Sequence, residues 1–169
     1  NKAMLETLYS CGLRVSELTA LHMSDVFLKE GYIRVTGKGS KQRLVPINEE
    51  WQTRFAEYLQ ERARFPVDEK SADVAFLNRR GKKLSRVMVF NVIKGAGEPA
   101  GIEKTVSPHT ARHSFATHLV QGGASIRQVQ ELLGHESITT TEIYTHLYSG
   151  HLSRTLNEHH PLAETGKKE

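Results

Sequence analysis

The amino-acid sequence predicts one α+β domain that is mainly α-helical and carries a small antiparallel β-sheet. Apolar residues recur at helical spacing along most of the chain, whereas alternation with a period of two is confined to residues 32–47. The 169 residues suit a single domain, and a content of 38% hydrophobic and 25% charged residues is typical of a soluble globular protein. No apolar run approaches the roughly 20 residues that a membrane span needs.

The chain opens with a predicted helix over residues 2–10. Met4, Leu5 and Leu8 share one face of this helix, and Gly12 marks its end. Because the apolar pattern is under way from the first residues and no initiator methionine precedes it, we expect the chain to be part of a longer protein.

A second short helix is predicted at 16–23, and a β-hairpin follows it. Residues 32–36 and 42–47 alternate on either side of the Gly-rich turn at 37–41, which is the pattern of two strands joined by a tight connection. Residues 51–64 then return to helical spacing.

A basic turn at 78–83 precedes the next helix, which we expect over residues 86–95 with Ser85 as its cap. This turn holds the densest group of positive charges in the chain: Arg79, Arg80, Lys82 and Lys83. Two interpretations stay open for it, a solvated turn or a contact with a phosphate backbone.

The last third of the sequence carries clear helix boundaries. Ser107 and Pro108 open a helix that ends at Gly122, and Ser125 caps a second helix that ends at Gly134. The sequence therefore predicts two consecutive helices with a short glycine-containing connection.

Two further helices are predicted at 137–146 and 149–159. The polar stretch 164–169 is expected to be a frayed tail. We therefore place the domain at residues 1–163.

Net charge, cysteine content and histidine spacing limit the kinds of binding site that the chain can hold. Lys and Arg number 23 against 19 Asp and Glu, and the net charge of +4 is a weak indication of an anionic partner. Cys11 is the single cysteine, which excludes a disulfide framework and fits a reducing cytosol. His109 and His113 have the spacing of a zinc-binding pair, but Arg112 lies between them and no glutamate does, so a zinc site is disfavoured. We expect His113 and His118 to be packing or capping residues.

Four separated segments carry cationic or polar groups beside glycine or proline: 12–18, 36–39, 109–113 and 132–135. Tyr144 follows the last of them. In this order and with these gaps, the segments resemble the motifs of the tyrosine site-specific recombinases, and the match to the Xer-like branch is close. The resemblance extends over essentially the whole predicted domain.

The resemblance implies the fold of a recombinase catalytic domain, a DNA breaking and rejoining enzyme. It also implies a catalytic site of six residues: Arg14, Lys38, His109, Arg112, His135 and Tyr144. Tyr144 is the implied nucleophile, forming a covalent 3′-phosphotyrosyl intermediate with no metal and no cofactor. Glu17 is either a supporting acid or an ordinary helix ion pair.

The residue types suit that chemistry on physical grounds. Cleavage of a phosphodiester without a metal needs an in-line nucleophile, donors on the non-bridging oxygens and an acid for the leaving oxygen. Arginine presents a rigid, permanently charged fork to phosphate. Arg112 shares a helix face with His109, while the glycines beside Lys38 let the backbone approach DNA closely. Lys41 and Arg43 are expected to contact DNA as well, although Lys38 and Lys41 also suit a plain solvated turn.

The resemblance implies double-stranded DNA with a specific site as the partner, and a homo- or hetero-tetramer assembled through the C-terminal helix, with no membrane involved. Leu152, Leu156 and Leu162 form an apolar stripe that is expected to dock on a neighbour when DNA is bound, or to fold back on its own chain without DNA. The resemblance also implies an amino-terminal DNA-clamping domain, which we expect to lie outside these residues. The implied location is the bacterial cytoplasm, at the nucleoid.

Three functions stay open at this point. The first is a DNA strand transferase, acting in chromosome-dimer resolution or in mobile-element integration. The second is a DNA-binding module that does no chemistry, and the third is a type IB topoisomerase. The intact set of six residues favours the strand transferase, because a binding module has no use for a phenol near His135.

Overall fold

The computed structural model describes residues 1–97, 106–134 and 147–161. The helices in these ranges are α1 (Lys2–Ser10), α2 (Val15–Ala20), α3 (Glu49–Arg62), α4 (Arg86–Gly97), α5 (Pro108–Gln121), α6 (Ile126–Leu133) and α7 (Leu147–His159). The strands are β1 (Val26–Phe27), β2 (Tyr32–Thr36) and β3 (Gln42–Pro46). The predicted α+β class with a small antiparallel sheet is confirmed.

The sheet has the order β1-β2-β3, and both of its pairings are antiparallel. Ile33 and Val35 of β2 are 0% and 2% exposed, so the alternating pattern places one face of the hairpin in the core. The Gly37 N–H donates to the Lys41 carbonyl over 2.7 Å and closes the turn between β2 and β3. The sequence does not predict the short strand β1.

The first apolar cluster lies between the sheet and the helices α1 to α4. Trp51 and Phe55 of α3 stack with ring centroids 4.6 Å apart, and Phe76 meets Phe55 edge to face. The Trp51 indole N–H donates to the buried Thr7 hydroxyl of α1 over 2.8 Å, which satisfies its one polar group. This cluster holds α2, which contains Glu17 and has Arg14 as its N-cap, against the hairpin that carries Lys38.

The second apolar cluster is smaller and lies among α5, α6 and α7. Phe115, Leu119 and Leu132 are fully buried in it, and Leu156 of α7 is 1% exposed. Thus α7 packs against helices of its own chain.

The two clusters meet at the end of α1, where the chain turns at Gly12. The backbone of Gly12 is left-handed, with φ of +57°, and a Cβ there would lie 2.5 Å from the Phe115 ring. Nearby, the Tyr9 hydroxyl and His118 Nδ1 are hydrogen-bonded at 2.7 Å. Glycine is therefore required at this position both by the turn and by the close approach of α5.

The structure confirms the caps predicted for the last third of the chain. The Ser107 and Ser125 side chains accept hydrogen bonds from backbone N–H groups in the first turns of α5 and α6. Pro108 occupies the first turn of α5, and Gly134 ends α6 in the left-handed conformation.

Two details of the predicted elements are wrong. The helix predicted at 16–23 ends at Ala20, because Leu21 is extended and its carbonyl accepts from the Ala75 N–H. His113 is exposed in the middle of α5 and is neither a packing nor a capping residue, whereas His118 packs against Tyr9 as expected.

Several predictions fall outside the described residues. They concern the helix at 137–146, which contains Tyr144, together with His135 and the tail at 164–169. The helix predicted at 149–159 is present as α7. Every helix in the described ranges is too short or too polar to span a membrane.

Candidate active site

Arg14 and Glu17 are held together by the start of α2. Arg14 is the N-cap residue with extended backbone, and its N–H donates to Glu17 Oε2 over 2.8 Å. The short spacing places the two side chains on the same end of the helix, where Arg14 Nη1 donates to Glu17 Oε1 over 3.1 Å. The Glu17 side chain is 1% exposed, whereas that of Arg14 is 42% exposed.

Arg43 of β3 completes the surroundings of the Glu17 carboxylate. Its Nη1 donates to Oε1 over 2.6 Å and its Nη2 donates to Oε2 over 3.0 Å, so the guanidinium grips both oxygens. Its Nε donates to the Leu132 carbonyl at the end of α6 over 3.3 Å. Arg43 therefore links the hairpin, α2 and α6.

The ionisation of Glu17 reflects these contacts. Burial disfavours the carboxylate, but the hydrogen bond and charge of Arg43, followed by those of Arg14, outweigh burial and hold the pKa of Glu17 below its ordinary value. Glu17 is thus a buried anion shared by two cations.

Arg112 reaches the same place from α5. Its guanidinium donates to the Gly12 carbonyl and, over 2.8 Å, to the Leu133 carbonyl. Burial, followed by the charges of Arg14 and Arg43, lowers the pKa of Arg112 to about 10, and Glu17 opposes the shift. The side chain is still protonated at neutral pH, so a second cation lies beside the loop at residues 11–14, here called the Arg14 loop.

The hairpin turn begins beside this cluster. A Cβ on Gly37 would lie 3.6 Å from Glu17 Oε1, which places the start of the turn against the buried carboxylate. Lys38 and Lys41 are accessible on the turn, and Gly39 has φ of +71° with open space around it. The lysines are therefore free to meet a ligand that docks over Arg14.

The histidine positions are only partly described. His109 is exposed near the start of α5, one turn before Arg112. His135 and Tyr144 lie outside the described residues, but Gly134 is described, and a Cβ there would lie 2.6 Å from Arg43 Cδ. The chain thus leaves the arginine cluster directly before His135.

The basic turn at 78–83 is held by hydrogen bonds of its backbone and of the Asn78 side chain. Asn78 Oδ1 accepts from the N–H groups of Arg80 and Lys82, and the Gly81 carbonyl accepts from the Asp68 N–H. The four cations all lie on the surface: Arg79, Arg80, Lys82 and Lys83. Their role in binding DNA stays a prediction.

Arg43 is the residue whose surroundings differ most from expectation. The sequence predicts a DNA contact for it, but its side chain is 15% exposed and its guanidinium donors are directed to Glu17 and Leu132. The sequence held a signal for this outcome, because alternation in β3 places Arg43 on the same face as buried Val45, opposite buried Val35.

The described part of this site does not gather the donors that a metal ion would need. Within residues 1–97, 106–134 and 147–161, no group of three or more His, Cys, Asp or Glu side chains could hold a metal ion. The charged groups at the centre of the site are the guanidinium groups and the carboxylate of Glu17.

Known proteins resemble this chain over most of its length. The tyrosine recombinase XerD of Bifidobacterium longum is 48% identical over 96% of this chain and 54% of its own length. The tyrosine recombinase XerD of Chlorobaculum tepidum is 47% identical over 95% of this chain and 53% of its own length. The chain thus spans about half the length of these curated relatives.

Solved structures share the fold. A crystal structure of XerA recombinase aligns with a TM-score of 0.73 and 37% identity, over 94% of this chain and 57% of that one. XerH site-specific recombinase bound to palindromic difH substrate, in a post-cleavage complex, aligns with a TM-score of 0.67 and 32% identity, over 90% of this chain and 43% of that one. The model of the phage integrase family matches residues 1–151, and the chain belongs to that family.

Proposed function

We propose that the protein is a tyrosine recombinase that cuts and rejoins double-stranded DNA at a specific site through a covalent 3′-phosphotyrosyl bond to Tyr144. The observation that supports this function best is the convergence of Arg14 and Arg112, from separate elements, around the buried Glu17. The relatives named as tyrosine recombinases, and the XerH complex with its difH substrate, support the same reaction and the same class of substrate.

The cluster suits a phosphate that gains charge during cleavage. Arg14, Arg43 and Arg112 carry three positive charges against the one negative charge of Glu17, so an excess of positive charge remains for an anion. Two of the Arg112 nitrogens are anchored on backbone carbonyls, which fixes the guanidinium before DNA arrives. Preorganised donors stabilise developing charge without reorganisation during the reaction.

The proposed steps balance as a transesterification. The Tyr144 hydroxyl gives its proton to water and its oxygen attacks phosphorus, which forms the phosphotyrosyl bond while the bond from phosphorus to the 5′-oxygen breaks. Lys38 donates a proton to that leaving oxygen, and His109 and His135 assist at the phosphate. Because the phosphotyrosyl bond conserves the energy of the broken linkage, the reverse attack by a 5′-hydroxyl rejoins DNA without a nucleotide cofactor.

In the cell we propose Xer-type chromosome-dimer resolution, with mobile-element integration or excision as the alternative. The place of action would be the bacterial nucleoid in the cytoplasm. Assembly as a tetramer through the C-terminal helix also belongs to this proposal. It requires a rearrangement, because Leu156 of α7 is buried against α5 and α6 of its own chain.

A covalent capture experiment tests the proposal. The complete natural protein that contains these residues is incubated with nicked duplex fragments of its source genome, and detergent-resistant protein–DNA adducts are isolated and sequenced. We expect adducts at a defined site for the wild type and none for Tyr144→Phe, which loses one oxygen but keeps its DNA affinity. Adducts that persist in Tyr144→Phe would move the nucleophile elsewhere, with Tyr148 as the nearest substitute.

The same experiment separates the other functions. A DNA-binding module would retain DNA affinity and give no adduct in the wild type. A type IB topoisomerase would relax supercoiled plasmids that lack the captured site. Arg112→Ala is expected to slow adduct formation in the recombinase, since it removes a donor to the phosphate.

A further inference from the structure

We propose that Arg43 is a positioning residue for the strand-cleavage reaction: it holds Glu17 so that Arg14 stays available to DNA, and it fixes the end of α6 that precedes His135. This inference rests on the proposed function and assigns to Arg43 a role inside the protein in place of the DNA contact expected from its charge.

The pair formed by Arg43 and Glu17 is built for fixed geometry. Both carboxylate oxygens receive a guanidinium N–H, over 2.6 and 3.0 Å. The side chains are 15% and 1% exposed, so water offers little replacement for either partner. Such a two-point contact fixes direction as well as distance.

The contact between Arg43 and Glu17 affects how exposed the Arg14 side chain is. The Glu17 carboxylate takes two guanidinium donors from Arg43 but one from Arg14, at 3.1 Å. Because Arg43 makes two of these three guanidinium hydrogen bonds, Arg14 satisfies the carboxylate with a single donor and keeps 42% of its side chain exposed. Without Arg43, the buried carboxylate would draw the Arg14 guanidinium inward, away from a docked phosphate.

The Nε atom of Arg43, which does not contact Glu17, binds the end of α6. Its Nε donates to the Leu132 carbonyl over 3.3 Å, and Arg112 donates to the next carbonyl, that of Leu133, over 2.8 Å. Carbonyls in the last turn of a helix lack partners within the helix and favour cations. Two arginines thus hold consecutive carbonyls at the point where the chain passes through Gly134 to His135.

Arg43 is also connected to the turn between β2 and β3, through its position in the hairpin. It lies in β3, directly after the turn that carries Lys38 and Lys41. Those lysines are accessible, whereas each nitrogen of the Arg43 guanidinium has a protein acceptor. Arg43 therefore ties the Lys38 turn, the Arg14 loop and the approach to His135 into one arrangement.

The test compares Arg43→Met and Arg43→Lys with Arg34→Met in the complete natural protein. Arg34 is the matched control, because it lies on the adjacent strand β2 and pairs with Asp25 at 2.7 Å, away from the cluster. The readouts are the rate of adduct formation at saturating DNA, the DNA affinity, and the melting temperature.

We expect Arg43→Met to slow adduct formation at saturating DNA by about 10- to 100-fold, since small misplacements of reacting groups have effects of that size. DNA affinity should change by less than about threefold, because the residue does not touch DNA in this proposal. Arg43→Lys should recover part of the rate, and Arg34→Met should match the wild type in rate.

A double-mutant cycle identifies the partner through which Arg43 acts. In a Glu17→Gln background, Arg43→Met should lower the rate much less than it does in the wild type, because the pair is already broken. If Arg43→Met does not fold, Arg43→Lys and Glu17→Gln carry the same test, and both should lose rate at saturating DNA.

Each contrary outcome is distinct. Weakened DNA affinity with a flatter salt dependence and an unchanged saturated rate would make Arg43 a DNA contact and overturn the inference. An unchanged saturated rate with unchanged affinity would overturn it too. Absence of adduct in the wild type would instead refute the proposed function.

Discussion

The two apolar clusters of this domain differ in size and in chemistry. The first, between the sheet and α1 to α4, is built around stacked aromatic rings such as Trp51, Phe55 and Phe76. The second, among α5 to α7, is smaller, and His160 lies against its Phe115 ring with centroids 5.7 Å apart. The first is therefore built around stacked aromatic rings, whereas the second lies against a buried histidine.

The candidate site lies on the boundary between them. Arg14 and Lys38 come from the first region, while His109 and Arg112 come from the second. Polar contacts cross the boundary, among them those of Arg112 with the Gly12 carbonyl and of Arg43 with the Leu132 carbonyl. The alignment of the proposed catalytic groups thus depends on contacts between the regions more than on either core.

The largest expected effect is the loss of cleavage rate in Lys38→Ala, which tests whether the first region supplies the general acid. Lys38→Ala should slow cleavage of ordinary DNA by about 10²- to 10⁴-fold, because a poor leaving group then departs without a proton. On a strand with sulfur in place of the leaving 5′-oxygen, the variant should regain most of its rate. Adduct formation on both substrates measures this.

Lys41→Ala is the matched control, since Lys41 is exposed on the same turn. At saturating DNA, where a weakened DNA contact does not limit the reaction, it should lose little rate on either substrate. Recovery on the sulfur strand by His109→Ala or His135→Ala, with none by Lys38→Ala, would assign the acid role to that histidine.

The next effect tests the packing across the boundary. Gly12→Ala should lower the free energy of unfolding by about 2–4 kcal/mol, because it combines left-handed backbone strain with a collision against Phe115. Gly31→Ala shares the positive φ but has nothing within 4 Å, so it should lose only about 1–2 kcal/mol. Urea denaturation of both variants gives the difference, and equal losses would show that the boundary tolerates repacking.

A third prediction uses pH to separate the regions. Burial lowers the pKa of His160 to about 4; contact with Tyr9 opposes the shift and the charge of His118 adds to it. In the unfolded chain His160 takes up a proton below about pH 6.5, whereas in the folded protein it stays neutral until about pH 4. The contribution of His160 to stability should therefore be constant above pH 6.5 and should fall as the pH drops towards 4.

The measurement is the melting temperature at pH 7 and pH 5. His160→Phe should lose less stability between these values than the wild type does, because it removes the group that titrates. Equal acid sensitivity in the two proteins would assign the pH dependence elsewhere.

The smallest expected effect is a change in the salt dependence of DNA affinity, which tests whether the first region contacts DNA away from the boundary. Neutralising the basic turn should reduce the slope of log affinity against log salt by about 0.9 for each phosphate that the turn binds. The variant replaces four residues by glutamine: Arg79, Arg80, Lys82 and Lys83. Replacing Arg54 and Arg64, which pair with glutamates of α3, is the control. An unchanged slope in both would assign the turn to solvent.

Features with local causes were predictable from the sequence. Ser107, Ser125 and Gly134 set the ends of α5 and α6 through hydrogen bonds and backbone conformations that depend on near neighbours. The hairpin followed from its alternating residues and glycine turn for the same reason.

Features with distant causes were not predictable. β1 has only two residues, too few to show a period, and it is defined by its pairing with β2. The early end of α2 depends on Ala75, far along the chain. Alternation in β3 indicated that Arg43 faces the core, but its partner Glu17 lies 26 positions away, and charge alone favoured DNA as that partner.

The contact between Arg43 and Gly134 constrains how related sequences can vary. A side chain at 134 would collide with the Arg43 stem and would also have to adopt φ of +69°. Replacement of Arg43 by a shorter residue removes the first obstacle and leaves the second. Asparagine tolerates that backbone better than other side chains do, so the substitution expected to appear at 134 is asparagine, and it should appear together with a shorter residue at 43.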